Sequence, residues 1–244
     1  QVYEIERTQA GITEHAAVKI VTRPKDESEL EARYENGFDE ESVAASYAEE
    51  LQQYASEYRL MLEMKGQSNI ISCDDITLIE NPNGIGGKIY IRMELLTPLK
   101  KMQKEIFTKE ETVIRLGMDI CRALMLCEEK HIIHRDIKPE NVMIRGSEAI
   151  LIDFDASRIF KSDTNQDTQI LGTTGYAAPE QYGIAQTDER ADIYSLGVLL
   201  NIMLTGKHPS KELASGRLGR IVQKCTMVNP EKRYKSVLYL METL

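Results

Sequence analysis

This sequence predicts an α+β fold in two unequal parts, a small N-terminal antiparallel β-sheet region with one main helix and a larger, mainly α-helical C-terminal region. Three observations carry the prediction. Up to Met93 the apolar residues fall in short strand-like runs. In that half a long helical period stands at Leu51 to Leu62. Beyond Met93 the long apolar stretches, Thr112 to Glu129, Ile193 to Leu204 and Gly219 to Met227, read as helices. With 244 residues the chain can bury a substantial core, either as one large domain or as two lobes around a cleft.

Taken in order, Gln1 to Ile5 and Ala16 to Val21 favour β-structure around the polar stretch Arg7 to His15, which predicts a hairpin with Lys19 in its second strand. From Lys25 to Glu50 ten acidic residues face only Lys25 and Arg33. This leaves about −8 of the chain's net −9 in one segment, read as a solvated insertion with some helix in preference to an acidic docking site. Leu51, Ala55, Tyr58 and Leu62 then recur at helical spacing, with Tyr54 and Met61 beside them, Glu57 on the same helix and Gly66 placed to stop it. Asn69-Ile70-Ile71 marks the start of another strand. Ile76 to Ile79 and Lys88 to Met93 are strands joined by Asn81-Pro82-Asn83-Gly84-Ile85-Gly86-Gly87; this glycine cluster opens no helix, so it reads as a β-turn and not as a phosphate loop. After the helix at Thr112 to Glu129, short β-like pieces at Val142 to Ile144 and Ile150 to Ile152 flank Gly146. There is no internal repeat.

Composition removes several function classes. With 30 Lys plus Arg against 39 Asp plus Glu, a surface built to neutralise nucleic-acid phosphates is not expected, so nucleic acid is not a predicted partner. Cys73, Cys121, Cys127 and Cys225 form no CxxC pair and have no histidine at metal-ligand spacing. They read as reduced, buried thiols of a cytoplasmic protein. No apolar run reaches the roughly 18 residues needed to cross a bilayer, and the N-terminus lacks the basic-then-apolar order of a signal peptide. No membrane contact is therefore expected of this segment, although it can be the cytoplasmic domain of a longer, anchored chain.

The chemistry is concentrated in His134-Arg135-Asp136-Ile137-Lys138-Pro139-Glu140-Asn141. An Asp followed five residues later by an Asn suits a base beside a substrate hydroxyl and an amide oxygen on a metal ion that holds nucleotide phosphates; the lysine two residues beyond the Asp can neutralise the transferring group. Short motifs arise by chance, but their order does not. Ala17-Val18-Lys19, Glu57, His134 to Asn141, Asp153-Phe154-Asp155, Ala178-Pro179-Glu180 and Asp192 follow one another as in the protein-kinase signature. Over essentially its whole length the chain resembles the eukaryotic-type (Hanks-type) Ser/Thr protein kinases of bacteria.

That resemblance implies a bilobal protein-kinase-like fold, residues 1–94 forming the N-lobe and 95–244 the C-lobe of one kinase domain, and transfer of phosphate from ATP, with Mg2+, to Ser and Thr hydroxyls of protein substrates. Asp136 is the implied catalytic base and Lys138 its cationic neighbour; Lys19 bridges the α- and β-phosphates and Glu57 fixes its ammonium; Asn141 and Asp153 hold the metal. The adenine site implied is Val2 and Ala17 above the ring, Met143 below, Met93 behind, and Glu94 and Leu96 on the hinge. Ser157, Ser162, Thr164, Thr168, Thr173 and Thr174 fall in an activation-loop-like stretch. Thr164 and Thr168 are the autophosphorylation candidates, and Arg135 is a partner for a phosphorylated residue. Thr173 resembles the threonine that contacts the catalytic Asp and Lys, Glu180 and Arg233 a pair that ties its segment down, and Asp192 an anchor of the catalytic loop.

Two departures stand out. The glycine-rich phosphate loop is represented only by its end, at Gln1-Val2-Tyr3, which suggests a piece of a longer chain. Asp155 stands where the family usually has glycine; Asp tolerates positive φ better than most residues, so retained activity is expected. The alternatives are a pseudokinase that binds nucleotide or partners, and a small-molecule phosphotransferase, against which the Gly172 to Glu180 segment argues. Oligomeric state is not encoded in any of these features.

Overall fold

The computed structural model describes residues 1–67, 69–102, 109–154, 157–159, 173–182 and 187–244. The chain divides into two compact units, Gln1–Gln67 with Ile71–Leu95, and Ser68–Ile70 with Leu96–Leu244.

The first unit is an antiparallel sheet of order β1-β2-β4-β3, from β1 (Val2–Gln9), β2 (Ile12–Arg23), β3 (Cys73–Glu80) and β4 (Gly87–Glu94). The first hairpin is longer than its sequence suggests. It turns on Ala10 and Gly11 alone, both at positive φ, the backbone of a two-residue primed turn. Arg7 to Gln9 and Thr13 to His15 read as a loop because both faces of the hairpin tip are in solvent, so no apolar alternation marks them. The β3–β4 connection is the expected turn: Asn81 donates its Nδ2 to Ile85 O (2.8 Å) and its N–H to Gly86 O (3.0 Å). Gly86 sits at φ 71, and a Cβ there would fall 2.0 Å from Arg23 O.

The acidic stretch is largely exposed, and more of it is helical than its charge suggests: it forms α1 (Glu27–Glu35) and the first part of α2 (Glu40–Glu63). Asp26 caps α1 by accepting from Glu29 N (3.0 Å), and the Asp39 carboxylate accepts from Ser42 N (2.8 Å) where α2 begins. The helix expected from Leu51 therefore starts eleven residues earlier. Its buried stripe is Val43, Tyr47, Leu51, Ala55, Tyr58 and Met61, so Met61 and not Leu62 faces inward at its end. Val43 and Tyr47 pack with Ile85 of the β3–β4 turn, and Leu30 of α1 rests on this cluster. Glu50 joins the pieces, accepting from Arg23 Nε (3.0 Å) on β2 and Arg33 Nη2 (2.5 Å) on α1.

The second unit is built on helices: α3 (Glu110–Glu129), α4 (Arg190–Thr205), α5 (Gly216–Cys225) and α6 (Val237–Thr243). Two small sheets accompany them, β5-β7-β8 from β5 (Thr97–Pro98), β7 (Val142–Arg145) and β8 (Glu148–Leu151), and the pair of β6 (Ile132–Ile133) and β9 (Arg158–Ile159). Asn69-Ile70 does not begin a strand of the first sheet. Asn69 O accepts from Leu151 N (2.8 Å), its Nδ2 donates to Ala149 O (3.0 Å), and Ile70 forms a lone parallel bridge to Leu151. The Asp119 carboxylate of α3 accepts from Ala149 N (2.9 Å), so helix and sheet are joined by a polar bond inside the core. All four cysteines are buried and free, with burial pushing the Cys73 thiol up to about 11 and that of Cys121 to about 12.

A buried ion pair ties the short segment around Glu180 to the C-terminal helices. Arg233, its side chain fully buried, donates Nη1 to Glu180 Oε1 (2.6 Å) and Nη2 to Oε2 (2.9 Å), and it also donates to the carbonyls of Met227 (2.8 Å) and Arg190 (2.9 Å). Removing one partner strands the other charge in the core. Arg233→Leu should therefore lower unfolding stability by about 3–5 kcal/mol, read from denaturant midpoints; a loss under about 1 kcal/mol, as for an exposed pair, would show the site to be wet.

Candidate active site

In the second unit the residues of the 134–141 motif gather around one carboxylate. Asp136 Oδ2 accepts from Lys138 Nζ (2.7 Å) and Asn141 Nδ2 (2.8 Å), while Oδ1 accepts from the Thr173 hydroxyl (2.7 Å). Lys138 Nζ also donates to Thr173 Oγ1 (2.7 Å), and Asn141 Nδ2 to Asp136 O (2.8 Å). The four side chains form one closed network of charge-assisted hydrogen bonds, which fixes the carboxylate's orientation. A threonine hydroxyl on Oδ1 makes the same kind of bond as an incoming alcohol.

The loop beneath is held by Asp192, buried near the start of α4. Its Oδ2 accepts from His134 N and its Oδ1 from Arg135 N, each at 2.8 Å. Burial pushes this carboxyl up to about 7, against the pull of the two N–H bonds and the Arg135 guanidinium. Arg135 stands at φ 68, a left-handed conformation that costs a non-glycine residue on the order of 1–3 kcal/mol and persists where its surroundings enforce it. Here they do: beside the Asp192 bond, Gln181 Nε2 donates to Arg135 O (2.8 Å) and Arg135 Nη2 to Thr187 Oγ1 (2.9 Å). Gln181 and Thr187 were not picked out in the sequence, where a polar residue after a proline-containing turn looks solvated and gives no sign of burial.

His134 positions the second acidic group. Its ring, fully buried, has Nε2 3.1 Å from Ile152 O and packs edge-on against Phe154 with ring centroids 4.7 Å apart. Asp153 lies between those two contacts, at φ 63, and Ile152 N donates to Asn141 O (2.9 Å). Asp153 and Asn141 are thus tied to one local scaffold. Asn141 spends its Nδ2 on Asp136, and its Oδ1 takes no hydrogen bond among the described residues. An amide oxygen and a carboxylate suit a hard, oxygen-seeking divalent cation. Among the described residues no group of three or more His, Cys, Asp or Glu gathers to hold a metal.

In the first unit Lys19 lies on β2 opposite Ile91 of β4, and Ala17 lies opposite Met93. Directly paired residues share a sheet face, so Ala17, Lys19 and Met93 are on one side. Lys19 Nζ is 5.4 Å from the centre of the Tyr58 ring, so its ammonium reaches α2 beside the position of Glu57. Glu57 falls within α2; its side chain lies outside the described part of the structure. Val2 is exposed on β1, Met93 is buried, and the Glu94 carboxylate accepts from Ser72 N (2.8 Å) while its own N–H donates to Ser72 O (3.1 Å). Leu96 and Met143 belong to the second unit, Met143 on β7 opposite Ile150. Asp155, Ser162, Thr164, Thr168 and Gly172 lie outside the described residues.

Residues 5–234 match the family model described as the protein kinase domain. Among curated proteins, the serine/threonine-protein kinase PknB of Mycobacterium tuberculosis is 34% identical over 50% of this chain and 24% of its own length. A probable serine/threonine-protein kinase of Clostridium acetobutylicum is 29% identical over 72% of this chain and 30% of its own. The serine/threonine-protein kinase pkn2 of Myxococcus xanthus is 42% identical over 38% and 12% respectively. The chain thus spans less than a third of the length of these relatives.

Burial lowers the proton affinity of His134 below its ordinary value, chiefly by desolvation. In the pH range just below about 6.5 the unfolded chain then binds more protons at this residue, so its contribution to stability is lost as pH falls. Asp192 has the opposite sign, since its raised value makes the folded chain the better proton binder between its ordinary value and about 7. Subtracting the unfolding free energy of His134→Phe from that of the parent isolates the histidine. The difference should turn against the parent between pH 7.5 and 5; a flat difference would mean that the ring titrates as it does in water.

Proposed function

Because the chain belongs to the protein kinase family, we propose that it transfers the γ-phosphoryl group of ATP to serine and threonine hydroxyls of protein substrates. The Asp136 network carries this reading, supported by matches to serine/threonine-protein kinases over part of the chain.

The substrate hydroxyl takes the place of Thr173 Oγ1 on Asp136, donating its hydrogen to a carboxylate oxygen as its own oxygen closes on the γ-phosphorus and the bond from that phosphorus to the bridging oxygen breaks, ADP leaving. Little basicity is needed because the transition state is loose and asks mainly for alignment. Lys138, already 2.7 Å from Asp136 Oδ2, sets positive charge beside the oxygens that gain negative charge. Asn141 and Asp153 would hold Mg2+, which would screen the charge of the phosphates. Lys19 holds the α- and β-phosphates, and Glu57 steadies its ammonium. Ala17, Val2, Met93 and Met143 line the adenine, with backbone groups at Glu94 and Leu96 reading its edge. Phosphorylation at Thr164 or Thr168, with Arg135 as cationic partner, is the regulatory step we assign. Among the described residues no helix is long and apolar enough to cross a membrane. The proposed location is the cytoplasm, as a domain of a longer protein.

Transfer of labelled phosphate from Mg-ATP to a generic basic protein tests the reading. The full-length protein should be active, and Asp136→Asn and Lys19→Met should each lose roughly 10²–10⁴ in rate. Equal signal from all three proteins would abolish the assignment.

A further inference from the structure

The second unit has a hollow of about 660 Å3, lined in part by Pro139 and Glu140 of the 134–141 motif. Its apolar wall is Leu99, Met102, Pro139, Ile202 and Met203, with Tyr176 on one side. The size is that of clefts that hold sizeable ligands. Two short links join the hollow to the catalytic network, one along the chain and one through a backbone hydrogen bond. Pro139 and Glu140 follow Lys138 directly, and Tyr176 donates its N–H to Thr173 O (2.9 Å), the residue whose hydroxyl rests on Asp136. A peptide advances about 3.3 Å per residue when extended. A substrate with its hydroxyl on Asp136 therefore carries a flanking side chain over the hollow within a few residues.

The rim decides which side chain. Glu140 lines the hollow and by itself would attract an arginine or lysine, but its Oε1 is paired with Lys100 Nζ of this same chain, another lining residue. A basic side chain entering there would meet a carboxylate whose charge is already offset by a neighbouring ammonium, while an apolar one buries its surface on Leu99, Met102 and Ile202.

We propose that this hollow is a specificity pocket that receives an apolar residue flanking the phosphorylated serine or threonine, and that it disfavours a basic residue at that position. The proposal rests on the kinase reading above and names the substrate class of that site: protein segments with an apolar, not a basic, side chain at one fixed distance from the acceptor.

The test is a set of peptides with one central serine, in which leucine or arginine is placed at each flanking position in turn, assayed for kcat/KM with the full-length protein. At one position leucine should exceed arginine by roughly tenfold or more, the range that apolar pocket contacts supply. Ile202→Asp and Met102→Glu, two separate lesions of the wall, should bring that ratio close to one while transfer to the arginine peptide and to the generic protein is kept. Lys100→Ala should raise turnover of the arginine peptide by freeing Glu140. A parent enzyme that prefers arginine at every position, or a leucine preference unchanged in both wall variants, would overturn the pocket and leave the kinase reading standing. Absence of transfer to any peptide and to the generic protein would instead remove the kinase reading itself.

Discussion

The backbone N–H groups of His134 and Arg135 both end on the two oxygens of Asp192, and the catalytic loop takes its shape from that grip. A buried carboxylate that receives two N–H donors recovers part of its lost hydration, and in return it fixes two consecutive peptide units. Arg135 can then hold its left-handed conformation, which turns the chain so that Asp136 meets Lys138, Asn141 and Thr173. The anchor comes from α4, a helix whose buried residues make it the centre of the second unit. The loop is therefore only as mobile as that core.

Strain elsewhere follows the same logic. Asp153 is a second left-handed residue of the site, and the contacts of His134 on either side of it, with Ile152 O and Phe154, hold it there. The histidine is thus a positioning residue, and its Nδ1 also accepts from the backbone N–H of Asp136 (3.3 Å). Local conformations that cost on the order of 1–3 kcal/mol each persist because buried groups on other elements enforce them. The Glu180–Arg233 pair does the corresponding work for the segment that supplies Thr173 and Tyr176, tying it to the carbonyls of Met227 and Arg190.

The first unit solves a different problem. Lys19 must be presented from a strand to a helix, and α2 is long enough to do this because its apolar stripe begins at Val43, inside the acidic run. Glu50 absorbs two arginines from β2 and α1, so what composition presents as repulsive charge is in part internal pairing. The uncompensated carboxylates remain on the solvent side, and α1 buries none of its residues.

The amino-acid sequence alone determined the α+β class, the order of the motif residues, and the chemistry to which Asp136, Lys138 and Asn141 are suited. Those features depend on local spacing and on chemistry that only a few side chains possess. It also marked Asp153, Thr173, Glu180, Arg233 and Asp192, through resemblance. What it hid were matters of burial between segments distant in the chain. The start of α2 at Glu40 was masked by charge, although Asp39 is a good cap. The hairpin tip lacked alternation because neither face is covered. Asn69-Ile70 looked like a strand of the first sheet but bonds to β8. Gln181 and Thr187 became positioning residues only once Arg135 lay against them. Spacing along a chain reports which face a side chain shares with its neighbours, and only tertiary packing decides what that face meets.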